Sequence, residues 1–429
     1  MTRILLRTPK PPFEVHSAAT TIERNLIASN AGNLVFLDSA WKILSAPGVE
    51  ITADRLAAGP RDADRINAQY DVYVIPLANA FRTNYADALA RTTQLVRRLR
   101  IPVVVLGVGA QGTVDYDFSA IKSIEGTVRS FMAAVLDRSP SVGVRGEATL
   151  AYLNGLGFRD VDVIGCPSMF IWGDGLRVER KVPALDEGSR VAITISPYRH
   201  AMGPITRTAL ARFPLLTYIA QDLDTLSLLT DGIPLAGGSP DSALPRHPDH
   251  PLFREHRTRF YIDPWSWIDD LRHMDYVFGS RIHGAIAALV AGTPATVLAH
   301  DSRTLELARY FDIPHRLLRD VRPDVDPADL YQEADLGPFH AGHRERFATL
   351  RGFLERSGLD HVFAHEGAAA AFERQVEATR FTGAVVGPDA ATTGPDLSTA
   401  ARRLRFRARR LALSPGGRSL RARLRLPPR

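Results

Sequence analysis

The stretch Phe278-Gly-Ser-Arg-Ile-His-Gly-Ala-Ile-Ala-Ala-Leu-Val-Ala-Gly-Thr-Pro294 decides the fold. The apolar residues 276–278 read as the end of a buried strand, and the entirely apolar run 285–291 reads as a helix stopped by Gly292 and Pro294. Arg281 and His283 therefore stand between a strand's carboxyl end and a helix's amino end, the edge where open α/β sheets bind ligands. A helix start offers unpaired N–H groups and a partial positive charge, which suits an anion. Arginine clamps phosphate or carboxylate with two parallel hydrogen bonds, and histidine exchanges protons near neutral pH. One hexapeptide thus offers anion binding beside acid–base chemistry.

Working outward, the same strand–helix alternation recurs. In the first half, strands are expected at 49–51, 72–76, 103–106, 142–144 and 161–164, with helices at 33–44, 84–99, 120–137 and 147–155. A break with Gly173-Asp-Gly175, Pro183 and Gly188 follows. The pattern restarts with strands at 191–196, 216–220, 260–262, 276–278 and 296–299, and helices at 222–230, 265–272, 284–291 and 303–311. Alternation of this kind implies parallel sheets built from βαβ units. The expected organisation is two Rossmann-like domains, 1–175 and 190–325, facing a cleft. Closing helices follow over 340–382 (segments 343–356 and 367–380), then a linker and Arg-rich tail over 383–429. The Pro/Gly/His/Asp-rich region 235–258 is expected to be a surface loop over the site.

Other motifs fall at strand ends. Gly107-Val-Gly-Ala-Gln-Gly112 spells G-x-G-x-x-G, but no helix opens on its third glycine and no acid follows where a ribose would sit. Those glycines are read instead as admitting a ligand or the facing domain close to the backbone. Asn30-Ala-Gly-Asn33 reads either as a helix cap or as a polar loop against a substrate, and Asn79-Ala-Phe-Arg-Thr-Asn84 as a binding loop or an ordinary turn. Arg145 binds an anion or merely precedes a helix capped through Glu147, and Arg199 faces the cleft or a solvated loop. In His300-Asp-Ser-Arg303-Thr-Leu-Glu306, Asp301 or Ser302 caps a helix and Glu306 stands near capping-box spacing. Arg303 in a first turn opposes the helix dipole, so it needs an anionic partner, either Glu306 or a ligand. The thirteen histidines show no metal-ligand spacing and Cys166 stands alone, so no metal is expected.

The net charge of +6 conceals an asymmetry. Residues 401–429 hold eleven arginines and no acid; without them the remaining 400 residues carry −5. The tail suits an anionic membrane surface rather than nucleic acid, or is simply disordered. One cysteine excludes an internal disulfide framework, and no apolar run reaches 18 residues. A cytoplasmic protein, with peripheral contact at the inner face of the membrane, is the expectation.

Gly279-Ser-Arg-Ile-His-Gly284, Ala291-Gly-Thr-Pro294 and His300-Asp-Ser-Arg303-Thr-Leu-Glu306 together resemble the polysaccharide pyruvyl transferase family. Asn30-Ala-Gly-Asn33, Gly107-Val-Gly-Ala-Gln111 and Val144-Arg-Gly-Glu147 add to the resemblance. It implies a fold like that of GT-B glycosyltransferases. It also implies transfer of the pyruvyl group of phosphoenolpyruvate onto two hydroxyls of a sugar in a glycan or lipid-linked precursor, forming a cyclic ketal. Arg281 and His283 would serve the donor site, and Arg145 matches an arginine of the family's pattern. Where many members show an Asp-Pro element, this chain has Gly165-Cys-Pro-Ser168, which leaves the role of that loop open. On this reading His283, with a pKa near the ordinary 6.5 or so, is the general acid/base and Arg281 its catalytic neighbour. Arg145, Arg199, Arg303, Asn30, Asn33, Asn79 and Ser280 bind substrate, with no cofactor beyond the donor itself. A nucleotide-sugar glycosyltransferase of the same architecture, or a non-catalytic glycan-binding or membrane scaffold protein, are the alternatives.

Overall fold

The computed structural model describes residues 1–387. Strands β1 (Thr2–Leu6), β2 (Val49–Ala53), β3 (Val72–Pro76) and β4 (Val103–Leu106) form a parallel sheet in the order β2-β1-β3-β4. Strands β5 (Val142–Val144) and β6 (Val161–Val163) pair with each other, and a bridge from Val108 to Val144 carries the sheet across to them. Sequence reading missed β1. It is only five residues long, yet Ile4, Leu5 and Leu6 are buried and pair on both sides.

The second sheet contains β7 (Val191–Thr194), β8 (Thr217–Ala220), β9 (Thr258–Tyr261), β10 (Tyr276–Gly279), β11 (Ala295–Ala299), β12 (His315–Leu317) and β13 (Ala384–Val385). Its order is β12-β11-β10-β7-β8-β9-β13. The six parallel strands thus have the doubly wound order of dinucleotide-binding folds, with the direction of winding reversing between β7 and β10. The protein is an α/β molecule of two Rossmann-like units. β13 runs antiparallel to β9 and covers that edge, so the expected linker over 383–400 begins as a strand. The rest of the linker and the Arg-rich tail lie outside the described residues.

Helix boundaries moved where local chemistry overrode periodicity. The helix expected at 84–99 is Ala86–Arg98 after a 3-10 turn, and that expected at 120–137 is a 3-10 segment leading into Glu125–Leu136. Helix Met202–Arg212, with Gly203 and Pro204 breaking its pattern, was not anticipated. The first closing helix starts earlier, at Gly337, where Pro338 fills the first turn and Asp335 accepts from the Gly337 amide at 2.8 Å. Region 235–258 does not cover the cleft: none of its residues lines it, and Leu244, His250 and Leu252 are buried in the second unit.

Helix Ile282–Val290 is buried at every position. It packs on β10 and β11 of its own unit and on helix Gly32–Leu44 and the turn Pro167–Phe170 of the other. A helix with apolar neighbours on all sides carries apolar residues on all sides. One hydrophobic core consequently runs from the first sheet through this helix into the second. The closing helix Ala368–Ala378 joins the units again, its Phe372 ring lying 4.9 Å from Phe13 and 5.6 Å from Trp265.

Candidate active site

A cleft of about 620 Å³ lies between the carboxyl ends of the two sheets. Its floor is the β7/β10 crossing, built on two glycines. Gly279 leaves β10 at φ +146°, and a Cβ there would overlap the Thr194 carbonyl. A Cβ on Gly284 would stand 2.6 Å from the Thr194 hydroxyl. With both glycines in place, the Ser280 amide donates to the Thr194 carbonyl at 2.8 Å, and the Ser280 hydroxyl accepts from the Ser196 amide at 3.3 Å. Ser280 thereby fixes the crossing while lining the cleft.

Arg281 occupies the cap position of helix Ile282–Val290, and its guanidinium pairs with Asp222 at the start of helix Leu223–Asp231. Its Nε is buried without a partner. Asp222 also accepts from Asn30 Nδ2 of the first unit at 3.3 Å. Asn30 Oδ1 accepts from the Gly32 amide at 2.9 Å although the helix's cap position is Ala31, so this side chain braces the helix start from one residue before the cap and also reaches across the cleft. Asn33 holds its own loop through the Ala28 carbonyl at 3.0 Å, and Asn79 donates to Gln111 at 3.4 Å, leaving its Oδ1 buried and unpartnered. All three asparagines line the cleft.

Arg145 is 2% exposed. Its Nε donates to the Gly107 carbonyl at 3.3 Å, its stem lies over Gly109 with no room for a Cβ, and its Nη2 has no partner. The glycine-rich loop therefore serves a close backbone approach by an arginine. It also receives the second unit, since the Gly112 amide donates to the Ser302 hydroxyl at 2.7 Å.

Arg303 pairs with Asp301, its Nε donating at 3.0 Å. Arg303 and His300 hold the Asp301 carboxyl down at about 2 despite its burial. Asp301 also caps helix Ser302–Tyr310 in a box with Thr304. Glu306 is thus neither the capping acid nor the partner of Arg303, as the spacing had suggested. It crosses to the first unit and accepts from the Thr149 amide at 2.6 Å and hydroxyl at 3.0 Å. Arg199 is exposed at the cleft rim and acts on His300 through its charge.

His283 is 9% exposed. Burial, then the charges of Arg145, Arg303 and Arg281, push its pKa down to about 3, correcting the expectation of a value near 6.5. His300 falls to about 4, chiefly by burial, with Asp301 opposing and Arg199, Arg303 and Arg281 reinforcing the fall. Both imidazoles are therefore neutral at neutral pH.

Two lining arginines escaped sequence reading. Arg7 follows β1 and donates to the Tyr85 hydroxyl at 2.9 Å. Arg82 lies over the Tyr85 ring, 5.5 Å from its centroid, and burial together with the charge of Arg303 lowers its pKa. Arg7 carries the same signal as Arg145 and Arg199, an arginine just past a strand, and was lost because β1 was not recognised. Six arginines thus face one lining acid, Asp222. Donor atoms on Arg82, Arg145, Gln221 and Arg281 are buried there without partners. Orphaned buried donors are costly, and an anionic ligand satisfies them. No group of three or more His, Cys, Asp or Glu among the described residues is arranged to hold a metal.

Fold and site define a two-unit α/β protein with a donor-rich, arginine-lined cleft at its strand ends. The family model for polysaccharide pyruvyl transferase matches residues 30–302. The chain belongs to the polysaccharide pyruvyl transferase family. No curated protein matches it in sequence. Among solved structures, it is similar to a Methanocaldococcus jannaschii UDP-GlcNAc 2-epimerase in complex with UDP-GlcNAc and UDP (9% identity, 82% of this chain and 99% of that one, TM-score 0.41). It is also similar to S. aureus MnaA in a co-structure with UDP (9% identity, 89% and 99%, TM-score 0.39). A third similar structure is the Klebsiella pneumoniae protein KP1_0663 (11% identity, 72% and 88%, TM-score 0.39). No helix among the described residues is long and apolar enough to cross a membrane.

Proposed function

We propose that this protein transfers the pyruvyl group of phosphoenolpyruvate to a sugar diol of a cell-surface glycan precursor, forming a ketal and releasing phosphate. The observation that carries the reading is the convergence of Arg145, Arg281 and Arg303 on a buried neutral His283, with donor atoms of Arg145 and Arg281 unpartnered. Phosphoenolpyruvate carries a carboxylate and a phosphate on one small carbon frame, a match for several guanidinium groups at short range.

The balance of the reaction assigns the proton work. The first sugar hydroxyl adds to C2 of the donor while its proton ends on C3, which becomes the methyl group. The second hydroxyl adds to C2 as the C2–O bond to phosphate breaks, and its proton leaves with the phosphate. A neutral imidazole is the right starting state for taking the first hydroxyl proton. The donor's negative charge then offsets the three arginines, so His283 holds a proton more readily with donor bound than without. Arg281 adjoins the reacting carbons and neutralises the departing phosphate, and Arg199, Arg303, Asn30, Asn33, Asn79 and Ser280 position the two substrates. The acceptor is a glycan, free or lipid-linked, met on the cytoplasmic side.

The test is inorganic phosphate release from phosphoenolpyruvate in the presence of a panel of lipid-linked and synthetic glycans. The expected result is phosphate and a pyruvylated glycan in equal amounts. Release of UDP from a nucleotide sugar with no phosphate from phosphoenolpyruvate would overturn the proposal in favour of glycosyl transfer. Glycan binding without turnover of either donor would make the protein a binding scaffold.

A further inference from the structure

Cys166 lies behind the wall that His283 presents to the cleft. It is 1% exposed, and its Sγ stands 3.7 Å from His283 Nε2 and 3.1 Å from the Ser168 hydroxyl, itself fully buried. The backbone there is held tightly. Gly165 has φ +71° and backs onto the rings of Tyr310 and Phe311, where no Cβ fits. The imidazole is held from another direction by Gly32, at which a Cβ would come 2.7 Å from that of His283.

We propose that Cys166 is the positioning residue of His283. Its thiol holds Nε2 on the buried side, leaves Nδ1 for the cleft, and gives the imidazole an uncharged partner. The inference rests on the role of His283 in pyruvyl transfer proposed above.

The choice of a thiol has a chemical consequence. A carboxylate in this place would stabilise the imidazolium permanently. A buried thiol does not, because burial pushes Cys166 up and keeps it protonated even though Arg145 pulls the other way. The charged groups acting on His283 are Arg145, Arg303 and Arg281, all cationic. The nearby carboxylates Asp222 and Asp301 are already paired with Arg281 and Arg303. A proton on His283 is therefore stabilised only by an anion in the cleft, so protonation of the histidine follows donor occupancy. With an aspartate at position 166 that dependence would be lost.

Two measurements test this. Ring signals of His283, assigned by loss in His283→Gln, are followed by NMR against pH in the donor-free protein. Cys166→Asp is expected to raise the midpoint by about one to three pH units, the effect of an opposite charge at this range. Cys166→Ala is expected to change the tautomer distribution without raising the midpoint. An unchanged midpoint in a folded Cys166→Asp protein, or an unchanged tautomer in Cys166→Ala, overturns the proposal.

Turnover is the second measurement. Cys166→Ala is expected to lower kcat about 10- to 100-fold, the range that loss of an orienting partner brings to a metal-bound histidine, with the donor KM little changed. Cys166→Ser, which keeps a hydrogen-bonding group, is expected to restore most of kcat. Cys166→Asp is expected to bring an acidic limb into the kcat/KM profile, where the wild type has none from this residue. If the NMR shifts appear but phosphoenolpyruvate is never turned over, the functional reading fails while the Cys166–His283 coupling stands. If turnover is normal in Cys166→Ala, the positioning role fails alone.

Discussion

Glu306 of the second unit accepts two hydrogen bonds from Thr149 of the first, one from its amide and one from its hydroxyl. The carboxyl is 2% exposed, and its stem lies against Gly146, where no Cβ fits. Burial raises its pKa although the Thr149 amide and Arg145 draw it down. Replacing Glu306 with Ala strands the Thr149 amide in the junction. A cost of about 1–3 kcal/mol is expected, the penalty of an unmet buried donor, read as a lower midpoint in urea unfolding. Glu306→Gln retains an acceptor and should lose less.

Arg145 is held by geometry as well as charge, with Nε on the Gly107 carbonyl and its stem over Gly109. A lysine reaches neither the carbonyl nor the ligand in the same way. Arg145→Lys is expected to lower kcat/KM for phosphoenolpyruvate by roughly 10²- to 10³-fold, the cost of removing one preorganised donor. Steady-state kinetics with varied donor decide it. A tenfold or smaller effect would remove Arg145 from the donor site.

His283 and His300 titrate in the folded protein at about 3 and 4, below the usual value. For a histidine whose folded pKa is depressed, nothing is lost while both states are neutral. As pH falls below about 6.5, the unfolded chain binds protons that the folded one refuses, and stability declines until the folded pKa is passed. The loss is expected between about pH 6.5 and pH 3, with the His300 share complete near pH 4. Thermal melting across that window should show a smaller decline in His300→Gln, and a smaller decline for the wild type with inorganic phosphate present. Parallel curves for wild type and His300→Gln would contradict the assignment.

Gly279 combines a positive φ with direct approach to the Thr194 carbonyl. Gly279→Ala must displace β10 from β7 at the crossing that carries Ser280 and Arg281. The expected outcome is a drop of several kcal/mol in stability, seen as loss of soluble folded protein.

Phe372 touches Phe13 from one unit and Trp265 from the other. Phe372→Ala is expected to cost about 3–5 kcal/mol and to lower the melting temperature of the whole molecule rather than release one unit.

Most strands were legible because parallel strands buried on both faces read as short apolar runs, as in Val103-Val-Val-Leu106. β1 was not, because its Ile4-Leu5-Leu6 is ambiguous until partners 47 and 68 residues away are known. The block around Arg281 and His283 announced itself by position, but its electrostatics did not. The low pKa of His283 arises first from burial and then from Arg145 and Arg303, which the fold brings from two other elements. The partner of Arg303 could be narrowed to an anion by dipole reasoning, yet choosing Asp301 over Glu306 needed the Thr149 contact, 157 residues distant. Arg7 was lost with its strand, and Cys166 gave no local sign that its sulfur meets a histidine 117 positions later.

Helix Ile282–Val290 is at once the mount of Arg281 and His283 and the member on which the two units bear. The side chains proposed to meet the donor thus sit at the junction of the two units rather than on either one alone. A substitution in the apolar body of the helix, such as Ala287→Val, would tilt the reacting geometry without touching any substrate.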